Sequence, residues 1–176
     1  MKTLIIVTHP DIDHSLINKR WVEMLKEQPD KYSVHELYKA YPDENIDIKA
    51  EQTRMEQYGK IVFQFPVYWF SSPAFLKKWM DEVLIYGWAF GSKSEYKLSG
   101  KKIALALSVG LEEHEYGQSE KYKYRLEQLM RPFELTFDYV KADYRPFFAY
   151  YGIEPHSPKA WIEKSVPLYM DFLEAL

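Results

Sequence analysis

KIVFQFPVYWFSSPAFLKKWMDEVLIY, residues 60–86, is the stretch on which the fold turns. Lys60 to Pro66 is a short apolar run that stops at a proline. Proline cannot donate to a central ladder, so the run predicts a buried strand ending at Pro66. Pro73 to Tyr86 predicts a helix, with Pro73 in the first turn, where a missing amide proton does no harm. Between the two stand Tyr68, Trp69 and Phe70. Three consecutive aromatics held between a proline and Ser71-Ser72-Pro73 are hard to hide in a core.

The same alternation of strand and helix runs through the chain. Strands are expected at 3–10, 32–38, 60–66, 101–110 and 145–152. Helices are expected at 15–28 with Ser15 as N-cap, 50–59 closed by Gly59, 73–86, 119–133 stopped by Pro132, and 157–176 kinked at Pro167. Residues 39–50 and 87–100 read as irregular. The strands are apolar along their length, which implies a parallel sheet covered by helices on both faces. The expected fold class is α/β, a doubly wound sheet of five parallel strands in the order 2-1-3-4-5. No linker or repeat divides residues 1–176, so one domain is expected.

Composition excludes several functions. There is no cysteine, which removes disulfides, zinc ribbons and thiol nucleophiles and is compatible with a cytoplasmic location. A net charge of −3 argues against nucleic-acid binding. Neither a signal peptide nor a membrane span is expected. Aromatic residues reach 17%, a surplus that suits flat ligands, subunit contacts or a dense core.

In doubly wound sheets ligands sit beyond the carboxyl ends of the strands, near the point where strand order reverses. That rule points to three loops. THPDIDHSLIN (8–18) feeds a helix N-terminus, where unpaired amides attract an anion. His9, Ser15, Leu16, Ile17 and Asn18 form a candidate phosphate cradle, or a plain helix cap. Pro66, Val67, Tyr68, Trp69 and Phe70 form a wall able to flank a flat ring, or a plug over the core, or a subunit contact. Ser108, Val109, Gly110 and Leu111 offer backbone donors toward developing negative charge, or a simple strand-to-helix turn. Glu112-Glu113-His114-Glu115 lacks the one-face spacing of a metal site and reads as solvated loop. An anion cradle, an aromatic wall and backbone donors together match flavin mononucleotide (FMN).

The motifs THPDIDHSLIN, QFPVYWFSSPAFLKKWMDEVL, GWAFG and LSGKKIALALSVG resemble those of the flavodoxin-like NAD(P)H:quinone oxidoreductases, over residues 2–152. That family includes DT-diaphorase, the modulator of drug activity B and the ancillary oxidoreductases of potassium-efflux systems. The resemblance implies FMN, with FAD as the alternative, and flavin contacts at the three loops. It implies a catalytic tyrosine matching Tyr116, NADH or NADPH as donor, and a quinone or similar flat acceptor. It also implies a homodimer with the active site at the interface, where the partner supplies aromatics from the segment matching Trp88 to Tyr96. Potassium-efflux relatives add a possible transporter partner. Two features depart from the family pattern. Ser108-Val109-Gly110-Leu111 replaces Thr-Thr-Gly-Gly, and Tyr122 stands where DT-diaphorase carries a histidine.

The expected reaction is two-electron, ping-pong transfer of hydride through flavin N5, with the protein orienting the ring and tuning its charge. The alternatives are a flavin-bearing regulatory subunit of a transporter and a one-electron carrier of flavodoxin type.

Overall fold

The computed structural model describes residues 2–117 and 121–176. Met1 and residues 118–120 lie outside the described residues, and with them the start of the helix expected at 119. The strands are β1 (Thr3–Val7), β2 (Tyr32–Glu36), β3 (Lys60–Pro66), β4 (Lys102–Ser108), β5 (Asp143–Tyr144) and β6 (Phe148–Tyr150). The helices are α1 (Ile17–Lys26), α2 (Leu37–Ala40), α3 (Ile48–Glu56), α4 (Ala74–Val83), α5 (Leu126–Tyr139) and α6 (Lys159–Ala175). Among the described residues these strands pair in parallel, in the order β2-β1-β3-β4-β5, with β6 also on β4.

Side chains on a strand alternate between faces, and here both faces are covered. Leu4, Ile6, Ile61, Phe63, Phe65, Ile103, Leu105 and Leu107 meet α3, α4 and α5. Ile5, Val7, Val62, Ala104 and Ala106 meet α1 and α6. Small residues on β4 let Trp21 of α1 and Tyr169 of α6 lie close to the second face, both fully buried and 4.6 Å apart at their ring centroids. In register with these residues on that same face are two polar ones, Gln64 and Ser108.

Several boundaries differ from the sequence reading. Strands one and four end at Val7 and Ser108, so the loops that follow begin earlier. The first helix starts at Ile17, although Ser15 Oγ still accepts from the Asn18 amide at 3.2 Å, as a cap would. The second strand stops at Glu36, and a four-residue helix, α2, takes the end of the strand expected to 38 and the first two residues expected to be irregular. Pro132 does not stop α5, which begins at Leu126 and runs to Tyr139. An interior proline costs about 3 kcal/mol. Phe133 packs on Phe65 and Phe137 stacks on Phe63, at 5.5 and 5.3 Å. Burying each ring contributes about 1.5–3 kcal/mol, enough to carry the helix through. Pro167 likewise lies inside α6.

The fifth strand is split. Lys102 pairs with Asp143, but Ala106 pairs with Phe148. Four steps along β4 therefore face five along its neighbour, the signature of a bulge. The extra residue falls in Arg145-Pro146-Phe147, where Pro146 has no amide proton to give the ladder.

Candidate functional site

A cleft of about 530 Å³ opens at the carboxyl ends of β1, β3 and β4. It is lined by His9, Ser15, Leu16, Ile17 and Asn18 from the first loop, Pro66, Val67 and Tyr68 from the second, and Ser108 and Gly110 from the third. A smaller slot of about 250 Å³ adjoins it, lined by Val67, Trp69, Phe70, Val109, Gly110, Leu111, Tyr116 and Tyr122. Val67 and Gly110 line both. The fold thus brings every candidate residue of the three loops, and Tyr116, to one continuous depression.

At the first loop, no acceptor among the described residues meets the amides of Leu16 and Ile17. These two donors open α1 and line the cleft, an arrangement suited to an anion. The Asp11 amide donates to His9 Nδ1 at 3.1 Å, which leaves Nε2 to carry the proton of the neutral ring. Burial holds the His9 imidazole below its ordinary range, against the pull of Asp11. His9 is therefore a neutral ring with its proton on Nε2, lining the cleft beside these amides. Asn18 is placed differently. Its side chain is buried, donates Nδ2 to Ser108 Oγ at 2.7 Å and accepts from Gln64 Nε2 at 3.2 Å.

The second loop is a tight turn. The Tyr68 amide donates to the Ser71 carbonyl at 2.9 Å, and the Ser71 amide returns to Tyr68 at 3.0 Å. Its central residues, Trp69 and Phe70, both have positive φ, 49° and 63°. Positive φ at both centres is the I′ pattern, ordinarily filled by Asn-Gly. Left-handed backbone costs a non-glycine residue roughly 1–2 kcal/mol. Two bulky aromatics held there are a strained arrangement of the kind that gathers at functional sites. The Trp69 ring buries almost nothing in return, being 94% exposed. The ring stands out from the protein beside the slot.

At the third loop, Val109 donates its amide to Tyr150 at 2.9 Å, so it is tied to β6. The amides of Gly110 and Leu111 meet no acceptor among the described residues. Of the four expected donors at 108–111, these two are the ones left for a ligand. Gly152 braces the loop: its amide donates to Leu111, its φ is +73°, and a Cβ there would lie 2.4 Å from Glu112 Oε1. The acidic run beyond has structural work, with Glu115 Oε2 accepting from the Glu112 amide at 3.0 Å.

Tyr116 is nearly buried against Tyr122 and Tyr151, with centroids 6.0 and 6.1 Å away. Burial, then the nearby Tyr122 and Glu115, push its hydroxyl above the usual tyrosine range, so it keeps its proton.

The sequence reading missed Asp11, His14 and the loop after β6, where Ile153, Glu154 and Pro155 line the cleft. The rule about strand ends applies to the fifth strand as much as to the others and would have found the last three. Tyr122, noted only as a substitution, is part of the slot wall. Trp88, expected from the resemblance among aromatics given to a partner, is instead buried in its own chain, donating Nε1 to Glu56 Oε1 at 2.7 Å.

Comparison with known proteins agrees with this fold. The model of a family described as having a flavodoxin-like fold matches residues 1–167. A Bacillus subtilis protein described as an uncharacterized NAD(P)H oxidoreductase, YrkL, is 42% identical over 99% of both chains. The crystal structure of general stress protein 14 from Treponema denticola, in complex with FMN, superposes with a TM-score of 0.94 at 43% identity over 99% of both chains. A glutathione-regulated potassium-efflux ancillary protein, KefG, from Salmonella paratyphi C is 35% identical over 90% of this chain and 85% of its own.

Proposed function

Because the chain belongs to the family with the flavodoxin-like fold, we propose that it is an FMN-dependent NAD(P)H oxidoreductase acting on quinones or similar flat acceptors. One observation carries the reading: the unpaired amides of Leu16 and Ile17 and the aromatic slot at Trp69, Phe70 and Tyr116 lie in one depression, joined through Val67 and Gly110. An anionic tail fits the first part and a planar ring the second. The FMN held by general stress protein 14 supports FMN over FAD.

When bound, FMN supplies the centre that takes hydride from NADH or NADPH and gives it to the acceptor. The chain's residues do the rest. Leu16, Ile17, Ser15 and His9 hold the phosphate by donation. Tyr68, Trp69 and Phe70 shape the ring's flank and exclude water from it. Gly110 and Leu111 aim amides at the edge where negative charge develops. Tyr116 holds its proton ready at the acceptor oxygen. One slot serves donor and acceptor in turn, which gives ping-pong kinetics. Apolar side chains around the groove between α4 and α5, with Leu135 and Tyr139 about two-thirds exposed, support self-association of two copies.

The test is an absorption spectrum after FMN addition, followed by NADH and NADPH oxidation with a benzoquinone. A colourless protein with no FMN-dependent oxidation would refute the reading. The KefG relative favours a second reading, an ancillary subunit that gates a transporter. Among the described residues no helix is long and apolar enough to cross a membrane, so such a role would require docking. A gating effect that survives loss of turnover would favour it.

A further inference from the structure

Beneath the cleft, between the sheet and the α1/α6 layer, four buried polar residues form one chain of hydrogen bonds. Tyr169 and Gln64 are fully buried, Asn18 is 1% exposed and Ser108 is 5% exposed. Tyr169 OH lies 3.0 Å from Gln64 Oε1. Gln64 Nε2 lies 3.2 Å from both the backbone carbonyl and the side-chain Oδ1 of Asn18. Asn18 Nδ2 lies 2.7 Å from Ser108 Oγ.

The direction of this chain follows from one group that cannot be reversed. The backbone carbonyl of Asn18 only accepts, so the Gln64 atom beside it must be the donating NH₂. Gln64 Oε1 is then the acceptor, and Tyr169 must donate to it. The second Gln64 proton goes to Asn18 Oδ1, so Asn18 presents its NH₂ to Ser108. Each member gives its proton to the next. Ser108 Oγ receives one and keeps its own, and no acceptor for that proton exists among the described residues. Ser108 lines the cleft.

We propose that this one-way chain presets the Ser108 hydroxyl as a donor into the cleft, for an acceptor oxygen on the polar tail of FMN. Gln64 is the positioning residue that sets the direction. Bonds in such a row polarise one another in a dry interior, which strengthens the terminal donor. The inference rests on the flavin reading above and adds to it a side-chain donor and a remote residue that orients it.

Ser108→Ala removes the donor and is expected to weaken FMN binding roughly tenfold, while Ser108→Thr, which keeps a hydroxyl, stays within about twofold of the wild type. Gln64→Glu tests the direction. The introduced carboxylate, when ionised, cannot donate, so Asn18 turns its NH₂ toward it and its Oδ1 toward Ser108, drawing the hydroxyl inward. When protonated, the introduced carboxyl donates and restores the original order. The ratio of the variant's FMN dissociation constant to the wild type's is therefore expected to rise between about pH 5 and pH 9. Using the ratio cancels the titration of FMN itself. A wild type that binds FMN beside a Ser108→Ala protein that binds it equally well overturns the inference and leaves the flavin reading standing. A flat ratio in folded Gln64→Glu overturns the directed chain. A wild type that does not bind FMN takes both down. If Gln64→Glu does not fold, the Ser108 pair decides the question.

Discussion

Phe70 rests against Tyr122, their ring centroids 5.3 Å apart at 53°. One residue belongs to the strained turn after β3, the other to the segment leading toward α5. Tyr122 also meets Tyr116, so the three rings close one side of the slot. The turn's conformation, the slot's shape and the proposed proton donor are parts of a single packing arrangement.

The turn makes a prediction about stability that runs against intuition. Trp69 is almost fully exposed and has φ of 49°, so its side chain contributes little packing while its backbone is strained. Asparagine tolerates that region far better. Trp69→Asn should raise the unfolding free energy of the FMN-free protein by about 1 kcal/mol and at the same time weaken FMN retention. Urea melts and fluorescence titration check the two halves. A variant less stable than its parent would mean that Trp69 packs in a way the turn geometry does not reveal.

Tyr116 predicts a separation of binding from turnover. Burial first, and the neighbouring Tyr122 and Glu115 after it, raise its hydroxyl above the ordinary range. It therefore remains a donor throughout the neutral range and loses its proton only under strongly alkaline conditions. Tyr116→Phe should keep FMN content and lower kcat with a quinone on the order of a hundredfold. Steady-state kinetics on the FMN-loaded variant gives the answer, and unchanged turnover would leave Tyr116 a packing residue.

Glu51 predicts an acid-sensitive contribution to the fold. It is fully buried in α3 and accepts from His35 Nε2 at 2.8 Å, Tyr41 OH at 2.9 Å and Trp79 Nε1 at 2.9 Å, with Arg54 Nε at 3.4 Å. Burial alone would push the carboxyl up, but donation from His35, Tyr41 and Trp79 outweighs it and holds the group below the usual glutamate range. A depressed folded value means the stabilisation is fully present above the ordinary glutamate range and is lost as pH falls through the folded value. Glu51→Gln should cost about 3 kcal/mol at neutral pH, and the gap to the wild type should narrow below that range. Urea melts at neutral and acidic pH measure it; a gap independent of pH would contradict the charge-based account.

Strand order and the site's edge were legible because apolar runs, prolines and helix spacing are local signals. Tyr68, Trp69 and Phe70 could be assigned to the edge for the same reason. The left-handed backbone of Trp69 and Phe70 could not, because that region is the habit of glycine and asparagine, and no residue there advertises it. The direction of the Asn18 amide depends on Gln64 and Ser108, far away in the chain, and no spacing rule couples them. The continuation of α5 through Pro132 was hidden because local propensity opposes it and only the aromatic packing on β3 explains it. Ile153, Glu154 and Pro155 were overlooked through incomplete use of the strand-end rule.

The extra residue at Arg145-Pro146-Phe147 has a consequence away from the cleft. A sheet margin with an unbroken row of free amides and carbonyls is a template for runaway stacking of chains. Here that margin is two short pieces, out of step by one residue and interrupted by a proline. Cross-chain strand addition and the fibrous aggregates it seeds are thereby discouraged on this side of the molecule.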